Sequence, residues 1–412
     1  MAASSDVVVV GAGAAGLFCA IFAARSAPGR RVLVLDGART LGAKILVAGG
    51  GRCNVTHDAV DERAYCGSSA HAIRKVLRRF PVARTVDFFR EIGVDLKREE
   101  TGKLFPTTDD ARTVLHALLS QARVAGVTIE HPRRVTRIAR IDRAGSSRFE
   151  VSGEWGTVAA RSLVLATGGR SLPKSGSDGA GYEFATLLGH AVTSRVTPAL
   201  VPLVTPAGHF LQGLSGISVV AEVQVRSSTS RKIASQTGPV LCTHFGLSGP
   251  AILDISRHLI HARLDDPNSG LVINWLPGET FESLDQALVA SRSASLAEHL
   301  RSRLPSRFIE GVCGDVGVSA SVRANQVERE ARRRLVRQFI EMEVPVVGDR
   351  GYNYAEVTAG GVPLDEIHLD RMESRCCPGL FLCGEICDVD GRIGGYNFQW
   401  AWSSGHVAGV SV

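Results

Sequence analysis

The residues in this sequence best suited to chemistry begin with Gly11-Ala12-Gly13-Ala14-Ala15-Gly16, set between the run Val7-Val8-Val9-Val10 and an alanine-rich segment. Gly11 permits a sharp turn, Gly13 lets the backbone come close to a pyrophosphate, and Gly16 lets the following helix pack tightly while its first amides face the phosphates. Asp36 ends the next apolar run, Arg31-Val32-Leu33-Val34-Leu35, 20 residues beyond Gly16. A carboxylate there can accept hydrogen bonds from both hydroxyls of an adenosine ribose. A glycine turn alone is weak evidence, but strand, turn, helix, strand and acid in this order read as a dinucleotide site.

A second glycine cluster, Gly49-Gly50-Gly51-Arg52-Cys53-Asn54, lacks the β-carbons that would keep a flat or anionic ligand away. Lys44 and Arg52 beside it can offset phosphate charge. A disulfide relay of the C-x-x-x-x-C kind would need a second cysteine where Asp58 stands, so Cys53 reads as a small packed residue. The segment Thr243-His244-Phe245-Gly246-Leu247-Ser248-Gly249-Pro250 is no nucleophile elbow, because Pro250 occupies the place of the required glycine. His244 reads either as a proton donor or as a hydrogen-bonded turn residue. No set of residues has metal-ligand spacing, and no metal site is expected.

These groups need a scaffold, and the apolar pattern supplies an α/β one. Leu163-Val164-Leu165-Ala166 reads as a buried strand that ends in Thr167-Gly168-Gly169, small residues where a side chain would block a ligand. From residue 196 to about 350 the texture changes. Short alternating segments over 200–273 suit a small β-barrel or antiparallel sheet. Helical stripes follow, such as Phe281, Leu284 and Leu288, then Val327, Ala331, Leu335 and Phe339. After 351 the chain returns to the first domain through Leu380-Phe381-Leu382-Cys383, ending in Gly384-Glu385, and then Gly394-Gly395-Tyr396-Asn397 opens a helix. Amides at such a helix start face an electron-rich group. The expected organisation is 1–195 and 351–412 as one domain, with 196–350 inserted.

At 412 residues, 44% apolar and 21% charged, the chain is ordinary globular material. A net charge of +6 suits anionic cofactors and is too diffuse to argue for nucleic acid. Arg323, Arg329, Arg332, Arg333, Arg334 and Arg337, interleaved with Glu328 and Glu330, are taken as a solvated helix face. Nine cysteines without a framework spacing read as reduced thiols of a cytoplasmic protein. No apolar run approaches the ~20 residues of a membrane helix, and no signal peptide is read at the start.

Taken together, G-A-G-A-A-G, G-G-G-R-C-N-V-T, A-T-G-G, T-H-F-G-L-S-G-P, V-T-A-G-G-V, C-G-E and G-G-Y-N-F-Q-W-A resemble the bacterial BaiN-like, aminoacetone-oxidase-like FAD-dependent oxidoreductases, from Val7 to the end of the chain. The resemblance implies a glutathione-reductase-like Rossmann FAD domain split by a β-barrel plus helical insert. By motif position, Gly11, Gly13, Ala14, Ala15, Gly16 and Asp36 would hold the ADP half of FAD, and Val135 would touch adenine. Lys44, Gly50, Arg52, Cys53 and Asn54 would lie along the pyrophosphate and flavin. Thr167 and Gly168 would flank the cofactor, Gly384 and Glu385 would meet the ribitol, and Gly395, Tyr396 and Asn397 the isoalloxazine edge. The activity implied is an NAD(P)H-linked reduction of an activated small organic substrate, with hydride passing through flavin N5. An amine oxidase using oxygen and an RNA-binding or RNA-modifying flavoprotein are the alternatives. No second G-x-G-x-x-G follows a strand, so NAD(P)H would visit the flavin transiently. The sequence names neither the substrate nor the oligomeric state.

Overall fold

The valine run forms strand β1 (Ala3–Val10), the helix α1 (Ala14–Ser26) follows the glycine turn, and β2 (Val32–Leu35) returns parallel to β1. β3 (Thr128–Glu130) extends the sheet beyond β2. The chain then crosses back. β4 (Gly156–Leu165) lies on the other side of β1, and β5 (Leu380–Leu382) beside β4, all in parallel. Two short antiparallel strands, Glu373–Ser374 and Ile367–His368, finish that edge. Because parallel strands are covered on both faces, β1, β2 and β4 end in unbroken apolar runs rather than alternating ones. The strand order reverses between β1 and β4, and a parallel sheet opens a crevice at the carboxyl ends of its strands at such a point.

In this computed structural model, which describes residues 3–141, 148–291 and 293–412, the sheet belongs to one of two compact units, Met1–Pro198 with Glu356–Val412. The helix α1 is buried on nearly every side because α2 (Tyr396–Ser411) covers the flank that the sheet leaves open. Glycine makes that approach possible. A β-carbon on Gly405 would stand 2.7 Å from the Ala15 carbonyl oxygen, and one on Gly409 2.4 Å from that of Cys19. Phe18 of α1 fills the remaining space against Phe80, Phe88 and Trp402, with ring centroids 5.2, 4.6 and 5.1 Å away.

The other unit, Ala199–Ala355, has its own core. Seven strands pair antiparallel in the order Met342–Val344, Gly270–Asn274, Ser218–Arg226, Lys232–Thr243, Gly246–Ser248, Leu203–Val204 and Gly348–Asp349. Val219, Ala221, Val223 and Val225 point inward from one strand with the period of two that the sequence carries. Leu284, Leu288, Phe308, Leu335 and Phe339 come from helices Phe281–Ala290, Ser306–Val316 and Arg329–Ile340 to join them in one cluster. What the hydrogen bonds establish of the expected barrel is this seven-stranded sheet. Among the described residues, no helix is long and apolar enough to cross a membrane.

Candidate functional site

The glycine turn lies at the sheet's point of reversal, and its three glycines are held in different ways. Gly11 has φ +106°, and a β-carbon on it would stand 2.4 Å from the Ala166 carbonyl oxygen at the end of β4. A β-carbon on Gly16 would stand 1.9 Å from the Gly11 carbonyl oxygen. Packing alone therefore demands both. Gly13 is the exception, since nothing lies within 4 Å of where its β-carbon would be. The first helical hydrogen bond of α1 runs from Leu17 N–H to the Gly13 carbonyl, and no side chain caps the helix. The amides of Ala14, Ala15 and Gly16 thus lack intrahelical acceptors next to open space, an arrangement that suits a pyrophosphate.

Asp36 follows directly on β2 and is half-buried. Its Oδ2 accepts from the Ala12 N–H at 2.6 Å and its Oδ1 from the Ala38 N–H at 2.7 Å. One carboxylate therefore braces the glycine turn and still has lone pairs for a ribose. The Arg133 N–H donates to the Asp36 carbonyl at 2.6 Å, which brings the loop carrying the buried Val135 to the same place.

Residues far apart in the chain meet beyond the end of β4. Lys44 Nζ pairs with Glu385 Oε2 at 2.6 Å, and Glu385 Oε1 accepts from the Thr358 N–H at 3.1 Å. Thr358 Oγ1 in turn accepts from the N–H groups of Arg170 and Ser171 at 2.7 and 3.0 Å. Thr167 leaves no room for a β-carbon on Gly181, which would stand 1.8 Å from its Oγ1. Gly168, at φ +72°, faces Ser177, whose buried hydroxyl has no hydrogen-bond partner. An unanswered buried hydroxyl beside Gly168 is a polar contact left for a bound group.

The second glycine cluster is a strained loop, with Gly49, Gly50 and Cys53 all left-handed at φ +58°, +69° and +60°. Gly50 faces open space as Gly13 does. Cys53 is fully buried, and burial pushes its thiol up to about 12, so it stays protonated and unreactive at neutral pH. Asp58, at the position a relay partner would take, is held by His57 at 2.9 Å and by Arg98. Arg52 is engaged by Glu99 at 2.6 Å, by Asp109 at 3.5 Å and by the Phe105 ring, 4.0 Å from its guanidinium carbon. Asn54 donates to the Thr56 carbonyl at 2.9 Å and accepts from the Gly395 N–H at 3.1 Å.

That last bond ties the loop to the start of α2. Gly395, at φ +93°, presses on the Thr56 backbone, where its β-carbon would stand 2.5 Å from the carbonyl carbon. The Tyr396 ring stacks on His57 with centroids 4.9 Å apart. Asn397 clamps Gly391, accepting from its N–H at 2.7 Å and donating to its carbonyl at 3.0 Å. Gln399, one turn on, accepts from Thr56 and Thr85 hydroxyls at 2.7 and 3.0 Å and donates to the Phe80 carbonyl and Ser403 hydroxyl at 2.9 and 3.1 Å. Trp400 Nε1 donates to the Gly384 carbonyl at 3.0 Å. The sequence reading missed the roles of Gln399, Thr358 and Ser177. A polar residue inside an aromatic run, as in F-Q-W, is the signal that marks Gln399.

His244 belongs to the Ala199–Ala355 unit, exposed on the turn between Lys232–Thr243 and Gly246–Ser248, with its ring edge-on to Phe245 at 5.0 Å. Thr243 Oγ1 closes that turn on the Gly246 carbonyl at 3.0 Å.

A family model described as the HI0933-like protein Rossmann domain matches residues 5–411. The chain belongs to this family. It is 35% identical to the ribosomal RNA dihydrouridine synthase of Escherichia coli, over 97% of this chain and 96% of the relative. It is 31% identical to the 3-dehydro-bile acid delta(4,6)-reductase of Clostridium scindens, over 97% of each. Among solved structures, the 3-ketosteroid delta1-dehydrogenase of Sterolibacterium denitrificans matches 98% of each chain with TM-score 0.52 at 12% identity, a likeness of fold. The protein is an FAD-dependent oxidoreductase of this HI0933-like family. The open face of Gly13, the free amides of α1 and the orphan Ser177 hydroxyl fit that cofactor.

Two outcomes follow from this geometry. Asp36→Ala should weaken FAD binding by roughly 1.5–3 kcal/mol, the worth of hydrogen bonds to a charged group. FAD retained through dialysis to the wild-type level would count against the ribose assignment. Asp388, beside the buried Asp390, has its carboxyl raised from 3.8 to about 6, first by burial and then by that neighbour. The folded chain therefore holds the proton more tightly, and stability present below 3.8 is lost as pH rises through about 6. Asp388→Asn should melt like the wild type near pH 4 and be more stable above neutrality, by ~2 kcal/mol after allowing for solvent screening. Denaturant unfolding at the two pH values checks it.

Proposed function

We propose that the protein saturates a carbon–carbon double bond conjugated to a carbonyl, with NAD(P)H as transient electron donor. The observation that carries this reading is that two relatives above 30% identity have names that describe one kind of reaction. Dihydrouridine differs from uridine by two hydrogens across one ring double bond. A delta(4,6)-reductase of a 3-dehydro-bile acid removes ring double bonds conjugated to a 3-oxo group.

FAD, when bound, supplies the hydride from N5. The chain's own residues hold and orient it. The amides of Ala14 to Gly16 and the open face of Gly13 would take the pyrophosphate, Asp36 would take the adenosine ribose, and Val135 would meet adenine. Gly50 and Asn54, with the Lys44–Glu385 pair, line the path between the two halves. Gly395, Tyr396 and Asn397 would hold the isoalloxazine edge at the positive end of α2, which favours negative charge there. Cys53, kept protonated by burial, plays no part in electron transfer. We assign the proton delivered to the neighbouring carbon to His244, on residue type and loop composition. Nine cysteines without a framework spacing suit a reducing compartment, the cytoplasm.

The substrate in the first reading is a small conjugated enone. A second reading, a uracil within ribosomal RNA, is favoured by the 35% identical relative and by the exposed Arg329, Arg333, Arg334 and Arg337 on helix Arg329–Ile340. It would overturn the solvated-face expectation for those arginines. Arg332 is excluded from that face by its bond to Asp285 at 2.8 Å.

Anaerobic mixing with NADH or NADPH should bleach the flavin, and a conjugated dienone or unmodified ribosomal RNA should restore its colour. Bleaching by amines alone would sink the reductase reading and favour an oxidase. Restoration by RNA, with log affinity falling by about one unit of slope per phosphate contacted as log salt rises, would select the second substrate. His244→Ala should lower turnover by up to ~100-fold with FAD content unchanged. Normal turnover in that variant would return the loop to a structural role.

A further inference from the structure

His190, Glu366 and Cys376 come from three separate segments of the first unit: the turn after helix Ala180–Leu187, the helical turn Leu364–Glu366, and the loop after strand Glu373–Ser374. One donor atom from each lies within 4.8 Å of the others. His190 is 3% exposed, with Nδ1 2.8 Å from Glu366 Oε2 and a buried Nε2 that has no hydrogen-bond partner. The Glu366 carboxylate is fixed in turn by the Ala191 N–H, at 3.2 Å from Oε1 and 3.0 Å from Oε2. Cys376 is exposed, so an ion can reach the cluster from solvent. A His–Glu pair explains one ring nitrogen; it does not explain a thiol brought to the same point.

We propose that these three side chains bind one zinc ion, with water in the fourth position. One nitrogen, one oxygen and one sulfur donor suit a borderline-soft ion, whereas magnesium and calcium take oxygen alone. Zinc bonds of about 2.0–2.3 Å set tetrahedral donors roughly 3.3–3.8 Å apart, so on binding the thiol closes in while the His190–Glu366 contact, 2.8 Å across, opens. The exposed Cys376 loop is the part free to close. On binding, the Cys376 thiol releases its proton to solvent and the thiolate becomes the ligand. The ion joins the antiparallel edge of the FAD sheet to the segment 189–193. Thr193 already accepts there from the Gly361 N–H at 2.9 Å, close in sequence to Thr358.

The test uses the full FAD-loaded protein, dialysed against a chelator and then titrated with zinc in competition with a chromogenic chelator. Because His190 is buried, Cys376→Ser and Glu366→Gln carry the comparison. The expected result is one equivalent bound per chain, weakened about 100-fold or more by Cys376→Ser. Zinc should also protect Cys376 from iodoacetamide, with FAD content unchanged throughout. An equivalent bound equally well by Cys376→Ser, or no equivalent in the wild type, would overturn the site.

Discussion

The rest of the FAD domain depends on one close backbone approach, that of Gly11 to Ala166 where the sheet reverses its order. A side chain at Gly11 would meet the carbonyl oxygen of Ala166 at 2.4 Å, so the turn can lie over the end of β4 only without one. That approach brings two segments separated by most of the first domain to one crevice. It also fixes the direction of α1, whose free amides give the crevice its positive character. Asp36 then ties β2 into the same turn through the Ala12 N–H.

Around the crevice, polar residues from distant stretches hold one another before they hold any ligand. Glu385 joins Lys44 to the Thr358 backbone, and Thr358 collects the amides of Arg170 and Ser171. Gln399 spends every donor and acceptor of its amide on protein. Such saturated buried networks rigidify a site, because breaking any member leaves a partner unsatisfied in a low-dielectric interior. The loop at Gly49 to Cys53, left-handed at four residues and strained at Cys53, is tied down by the bonds of Asn54 to Thr56 and Gly395.

Electrostatics divides the predicted cofactor residues into two groups. Gly13, Gly50 and the amides at the start of α1 face open space, as cofactor contacts must. Arg52, Asn54 and Asn397 are engaged by protein groups as well, which fixes the positions from which they would meet a cofactor. Complete burial removes the thiol reactivity that the position of Cys53 suggests.

The sequence by itself determined the FAD-domain fold, because a strand, glycine turn, helix and acid succeed one another within 36 residues and need no distant partner to be recognised. The same local logic made the alternating strands and striped helices of residues 200–340 legible. It could not tell how those strands pair, since register depends on which edges meet. Nor could it reveal that Asp36 braces the turn, that Lys44 answers Glu385, or that His190, Glu366 and Cys376 share one corner. Those facts were decided by tertiary structure, for a physical reason: hydrogen bonds and ion pairs act over about 3 Å, and no spacing along the chain records which residues folding will bring that close.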